Sequence, residues 1–217
     1  MLPSGVGGAG VDGRLMRRAI MHLKHADPVL RGIIERVGPF RIQFAEPDFE
    51  TLARSIVFQQ LSGASARAIF SRVKAATSGN GRMTPGGILS LGDRELRAAG
   101  LSQQKTTYLR ALAERTRCGQ IDFTRLPSLA DREVIEHLVV VKGVGVWTAQ
   151  MFLMFALRRP DVLPASDLGI RSAVRRAYRL RTLPKPAKIG QLARKWHPHC
   201  SAASWYLWRS SDDVLLS

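Results

Sequence analysis

Two groups of residues within positions 138–178 are of types and spacings that can do chemistry. Lys142-Gly143-Val144-Gly145 sets a Gly-x-Gly turn between two apolar helical patterns. Glycines there accept positive φ and close approach, and the next helix opens with N–H groups that have no partner inside it. Backbone donors and the helix dipole at such a terminus receive a phosphate. Asp167 stands just ahead of a third helical pattern that carries Arg171, Arg175, Arg176 and Arg179. A carboxylate at a helix start is held ionised by the dipole and nearby N–H groups. A fixed, ionised carboxylate can stabilise positive charge that develops in a transition state. Each feature also has a plain reading, a helix C-cap for the glycines and an N-cap for Asp167. For Asp167 the two roles are compatible.

The elements that must position these residues are helical. Apolar residues recur at helical spacing, and no run alternates as a strand would. The spacing predicts helices over residues 14–26 and 28–37, the second with Asp27 as cap and Pro28 in its first turn. Further helices are expected over 48–59, 64–76, 84–90, 93–98, 102–118, 128–140, 146–157, 167–180, 189–196 and 201–210, with a turn at 78–81. Short helices joined by capped turns suit an all-α orthogonal bundle better than a coiled coil. Residues 1–13, rich in glycine, read as a flexible tail.

Composition narrows the partners. The 217 residues hold 33 Lys and Arg against 17 Asp and Glu, a net charge of +16. The basic residues are spread over folded helices, so a charged body facing a polyanion is expected. No apolar run reaches the length that spans a membrane. Cys118 and Cys200 lie far apart without C-x-x-C spacing, so no disulfide framework, structural zinc site or iron–sulfur cluster is expected. A reducing cytoplasm fits, nucleoid-associated in a bacterium.

Four segments carry a resemblance: IVFQQLSGASARAIF at residues 56–70, GLSQQKTTYLRALA at 100–113, VVVKGVGVWTAQMFLMFAL with LPASDLGI across 139–170, and KWHPHCSAASWYLWR at 195–209. Together they resemble the helix–hairpin–helix DNA glycosylase superfamily, and within it the compact AlkA/Mag-type alkyladenine glycosylases. The resemblance implies a two-lobed helical bundle with a DNA-binding cleft between lobes. One lobe is expected to combine residues 14–46 and 159–217. The other spans 47–158 and ends in the helix–hairpin–helix, about 131–157.

On this resemblance Asp167 falls on the catalytic aspartate, stabilising an oxocarbenium-like sugar as the glycosidic bond breaks. Trp147, otherwise a core residue, falls in the base pocket, where an indole face suits a cationic alkylated purine. His199 and Phe40 are expected near the pocket wall. Residues 59–62 become the intercalating loop, with Gln60 and Leu61 as the wedge that fills the gap left by a flipped base. Lys142, Gly143, Val144, Gly145 and Ser62 would contact phosphate. The resemblance also brings a monovalent cation, Na+ or K+, to the carbonyls of Val139, Val141 and Val144, and no other cofactor. Where lyase members of the superfamily place a lysine, this chain has Trp147, which implies a monofunctional hydrolase.

The implied activity is removal of 3-methyladenine- and 7-methylguanine-type bases from double-stranded DNA by a monomer, leaving an abasic site. His199 and Cys200 depart from the relatives' aromatic and arginine, which leaves the lesion open: ethenoadenine, hypoxanthine or a methylated pyrimidine. The alternative from another class is a non-catalytic helix–hairpin–helix DNA-binding protein. Asp161, in a loop, and Asp212 and Asp213, at a solvated end, are weaker candidates for chemistry.

Overall fold

Several helices begin where a side chain takes over an N–H that the helix leaves unpaired. In a computed structural model, which describes residues 13–79 and 81–212, Asp27 caps α2 (Pro28–Val37) and Asp48 caps α3 (Phe49–Phe58). Thr84 caps α5 (Pro85–Ser90), Ser102 caps α7 (Gln103–Arg117) and Asp167 caps α10 (Leu168–Ala177). These short polar side chains accept from N–H groups two or three residues on, which makes the starts local and legible. The remaining helices are α1 (Gly13–Ala26), α4 (Gly63–Thr77), α6 (Asp93–Ala98), α8 (Asp131–Val139), α9 (Val146–Phe155), α11 (Pro186–Ala193) and α12 (Cys200–Asp212). Among the described residues the fold is all-α apart from a two-residue antiparallel ladder, Ser78–Gly79 with Arg82–Met83, where the sequence predicts a plain turn.

Some helix starts differ from expectation for identifiable reasons. The helix expected from residue 128 is a 3-10 turn (Leu126–Ser128) followed by α8. Glu133 reaches back to accept the Ala130 N–H at 2.7 Å, which sets the start at Asp131. Helix α11 starts at Pro186 and not at 189, because proline is accommodated in a first turn. Gly13 belongs to α1, whereas the rest of the expected tail, residues 1–12, lies outside the described residues. Asp213 also lies outside them. None of the described helices is long and apolar enough to cross a membrane.

The chain divides into two compact units, Met1–Ile42 with Pro160–Ser217, and Gln43–Arg159. The divisions fall at 42/43 and 159/160, against 46/47 and 158/159 expected from the sequence. Residues 43–46 join the second unit because the Ala45 N–H donates to the Phe155 carbonyl at 2.9 Å. The Arg158 guanidinium also lies over the Phe44 ring, 5.2 Å from its centroid. Arg159 stays with that unit because it donates to the Pro127 and Leu129 carbonyls and pairs with Asp131 at 3.3 Å.

The core of the first unit forms around α12, whose residues from Cys200 to Leu207 are all buried. Leu30, Ile33 and Ile34 of α2, Ile170, Ala173 and Val174 of α10, and Ile189 of α11 pack into the same cluster. Asp27 lies at its edge, fully buried. One carboxylate oxygen accepts from the Val29 and Leu30 N–H groups. The other accepts from the Tyr178 hydroxyl and the Trp196 indole at 2.8 Å, and lies 3.2 Å from the Lys195 ammonium. Burial alone would raise this carboxyl, but the hydrogen bonds from Tyr178, Trp196 and Lys195 outweigh it and hold it below the ordinary aspartate value. In the second unit α3 packs against α4, α7 and α9, with Leu52, Ile56, Val57, Leu109, Leu112 and Leu153 buried.

Asp27 yields a stability prediction. Replacement by Ala removes a cap and leaves the donors of Tyr178 and Trp196 unpaired, so a loss of about 3 kcal/mol is expected in urea unfolding. A carboxyl held low in the folded state stabilises above its unfolded value, about 3.9, and that contribution disappears as pH falls through the folded value. The gap between wild type and Asp27→Asn should therefore narrow below about pH 4. A gap independent of pH would contradict this.

Candidate active site

Each unit holds part of the candidate machinery. In the second unit α8 runs into the Gly-x-Gly turn, where the Val141 N–H donates to the Leu138 carbonyl and the Val144 N–H to the Val141 carbonyl at 2.9 Å. Gly143 has φ +90, and a Cβ built there would meet the Tyr108 ring at 2.1 Å. Glycine is thus required twice, by conformation and by the tyrosine packed against it. Gly145 precedes α9 with no side-chain cap, and nothing stands within 4 Å of where its Cβ would be. The first N–H groups of α9 are therefore approachable by an anion. Val141 and Val144 pack inward, whereas Val139 and Val146 are exposed. Burial recurs at every third position, Leu138, Val141 and Val144, which leaves Val139 and Val146 facing out.

The loop between α3 and α4 is tied to this hairpin. The Gln59 amide donates to the Gly143 carbonyl at 2.9 Å. The Lys105 ammonium donates to the Val57 and Gln59 carbonyls, both at 2.6 Å, and its partial burial lowers its pKa. Those two braces hold the end of α3 while Gln60 takes φ +56, a left-handed conformation that costs a non-glycine residue about 1–2 kcal/mol. Gln60, Leu61 and Ser62 are exposed at the tip. Ser62 starts the next helix: its carbonyl accepts the Ala66 N–H, and its hydroxyl donates to Ser65 at 3.1 Å.

A cavity of about 530 Å³ lies between the end of α3 and the start of α9, lined by Arg54, Ser55, Phe58, Gln59, Gln60, Trp147, Thr148 and Met151. That is a volume for a small planar ligand. Trp147 is 48% exposed, which gives its indole the access that a core tryptophan would lack. The Arg54 guanidinium sits 4.1 Å above the Phe58 ring.

In the first unit Asp167 Oδ1 accepts the Ile170 N–H at 2.8 Å and the Trp208 indole N–H at 2.8 Å. Gly169 makes the second bond feasible: a Cβ there would lie 3.0 Å from Asp167 Oδ1 and 3.1 Å from the Trp208 ring. Phe40 spends its ring on Trp205, at a centroid distance of 4.7 Å, and on Tyr206. His199 is half-buried edge-on to His22 at 5.2 Å. Burial, His22 and Arg18 lower its pKa against the opposing pull of Asp161. Trp196, Trp205 and Tyr206 are core, and Trp208 reaches the Asp167 carboxylate.

The pattern of the helix–hairpin–helix has a counterpart among known proteins. Residues 53–199 match the family model described as HhH-GPD superfamily base excision DNA repair protein. The chain belongs to this superfamily. Among HhH-GPD relatives, DNA-3-methyladenine glycosylase 1 of Schizosaccharomyces pombe is 35% identical over 201 residues, 90% of this chain and 88% of the relative. The solved structure of the same yeast's 3-methyladenine DNA glycosylase (Mag1) in complex with abasic DNA superposes with a TM-score of 0.80 at 36% identity. It covers 90% of this chain and 97% of that one. A DNA-3-methyladenine glycosidase from Bacillus halodurans gives a TM-score of 0.81 at 33% identity, covering 92% and 91%.

Reading the sequence missed Gln59, Lys105, Tyr108 and Trp208 as supports of the HhH-GPD machinery. Gln59 had a signal, a polar residue at a helix end that propensity does not explain. Trp208 had none, because it meets Asp167 only through the packing of α12 on α10. Gly143→Ala is expected to destabilise by about 1–3 kcal/mol, since Tyr108 must move aside. It should also weaken binding of an undamaged duplex in fluorescence anisotropy, whereas Gly145→Ala, with open space at its Cβ, should retain stability. Equal stability of the two variants would sink this account of the hairpin.

Proposed function

We infer that this chain hydrolyses the N-glycosidic bond of alkylated purines, of the 3-methyladenine and 7-methylguanine type, in double-stranded DNA. The observation that carries the inference is the carboxylate of Asp167, fixed by two N–H donors at the start of α10 in a member of the HhH-GPD superfamily. The names of the relatives from S. pombe and B. halodurans support the substrate class.

In this reading the N–H groups from Gly145 onward, Lys142 and Ser62 bind phosphates, since the Val144 N–H is taken by the Val141 carbonyl, and the net charge of +16 adds a salt-sensitive attraction. Gln60 and Leu61 enter the stack as the lesion base leaves it. Trp147 offers a stacking face to that base. The bond between C1′ and the base nitrogen breaks with its electron pair going to the base. Asp167 stabilises the cationic sugar, and water adds at C1′, its proton passing to solvent. A cationic purine leaves as a neutral base, so little general acid is required. With Trp147 where a lyase carries lysine, no imine forms and the product is an intact abasic strand. The enzyme acts as a monomer.

A monovalent cation at the hairpin fits in part. The Val141 carbonyl already accepts the Val144 N–H, so Na+ or K+ would use its second lone pair together with the carbonyls of Val139 and Val144. Such an ion would draw those carbonyls inward and stiffen the turn that presents the phosphate-binding N–H groups.

One observation favours a different lesion. Arg54 places a cation in the cavity wall, which disfavours a positively charged base and favours a neutral one such as ethenoadenine or hypoxanthine. Excision from duplexes that each carry one defined lesion separates the readings. Faster release of 7-methylguanine than of the neutral lesions is expected, with strand breaks only after alkali. Faster release of neutral lesions would favour the second reading, DNA binding without any base release would leave only a binding protein, and breaks without alkali would contradict simple hydrolysis.

A further inference from the structure

Asp161, His197 and Cys200 each offer one ligand atom, and the three atoms lie within 4.8 Å of one another. His197 Nδ1 is 2.7 Å from Asp161 Oδ2 and 3.6 Å from Cys200 Sγ. The Cys200 N–H donates to Asp161 Oδ1 at 3.1 Å. Both the carboxylate and the sulfur approach the same imidazole nitrogen. A nucleophile relay would use opposite ring nitrogens for the two, so this trio is not built to activate the thiol. Burial and the Asp161 carboxylate push the Cys200 thiol pKa upward, which also argues against a nucleophile at neutral pH.

We propose that Asp161 Oδ2, His197 Nδ1 and Cys200 Sγ form a binding site for a zinc ion, with a water in the fourth position. An oxygen, a nitrogen and a sulfur donor make a set suited to this borderline-soft ion. Tetrahedral coordination at ordinary zinc bond lengths puts N and S about 3.6 Å apart and N and O about 3.3 Å apart. The first spacing is already present. The second needs His197 and Asp161 to part by about 0.6 Å, which follows when the ion takes the place of the proton they share. Cys200 is buried, but the His197 and Asp161 side chains are 50% and 31% exposed, so an ion enters from their side.

On binding, the Cys200 thiol releases its proton to solvent. The ion's charge is then met by one thiolate and one carboxylate, with His197 neutral. The consequence reaches the catalytic carboxylate. The ion would pin the start of α12 to the segment from Pro160, where the Ser201 N–H already donates to the Pro160 carbonyl and the Ser201 hydroxyl accepts the Val162 N–H. Helix α12 carries Trp208, the indole bonded to Asp167. The spacing His-x-x-Cys was visible in the sequence, but its third ligand lies 36 residues earlier.

The test uses the untagged full chain, stripped with chelator and titrated with Co2+ and then Zn2+. A thiolate-to-cobalt charge-transfer band is expected in the near ultraviolet, lost on adding Zn2+, together with a zinc-dependent rise in Tm. Cys200→Ser should lose the band. His197→Asn, at an exposed position, should weaken zinc affinity by at least about tenfold and carries the test if the buried serine prevents folding. Absence of the band in wild type, or unchanged zinc affinity in His197→Asn, overturns the proposal and leaves a hydrogen-bonded helix cap.

Discussion

Asp167 Oδ1 accepts two N–H donors, one from the backbone of Ile170 and one from the indole of Trp208, and much of the first unit is arranged around that pair of bonds. The backbone donor exists because α10 begins there. The indole donor exists because α12 packs on α10 through a core of Ile170, Ala173, Val174, Ala203 and Leu207. Gly169 keeps the space between carboxylate and ring open. A carboxylate held this way has lost its rotational freedom before any substrate arrives, which lets it act electrostatically without reorganising during the reaction.

The second unit solves a related problem with backbone carbonyls. A chain that stops one helix at Phe58 and starts another at Gly63 leaves the carbonyls of α3's last turn without helical partners. Lys105 takes that of Val57 and that of the cap residue Gln59, whose amide bonds the hairpin. The left-handed residue Gln60 is tolerated because Gln59 before it is held through both its side chain and its carbonyl. The loop at residues 59–62 and the Gly-x-Gly turn are thereby one hydrogen-bonded piece, although residues 59 and 143 are 84 apart in sequence.

What could be read from the chain was what acts over a few residues. The caps at Asp27, Asp48, Thr84, Ser102 and Asp167 are legible because each side chain bonds an N–H two or three residues on. The glycine at 143 was legible as a turn, but the reason for it, the Tyr108 ring, was not. Asp27 reads as an ordinary cap, yet its second oxygen gathers Tyr178, Trp196 and Lys195 from the far end of the chain. Nothing local in the sequence marks Trp208 as the partner of Asp167, and Asp161 reads as a loop residue. Both acquire their partners only when α12 packs into place.

The most direct test of the central claim is single-turnover release of 7-methylguanine from a duplex by Asp167→Asn, with affinity for the same duplex measured alongside. Asparagine still caps α10 and still accepts from Ile170 and Trp208, so it removes the charge and little else. A rate lower by at least about 100-fold, with affinity changed by less than about twofold, is the result this account predicts. A rate within about tenfold of wild type, at unchanged affinity, would contradict it.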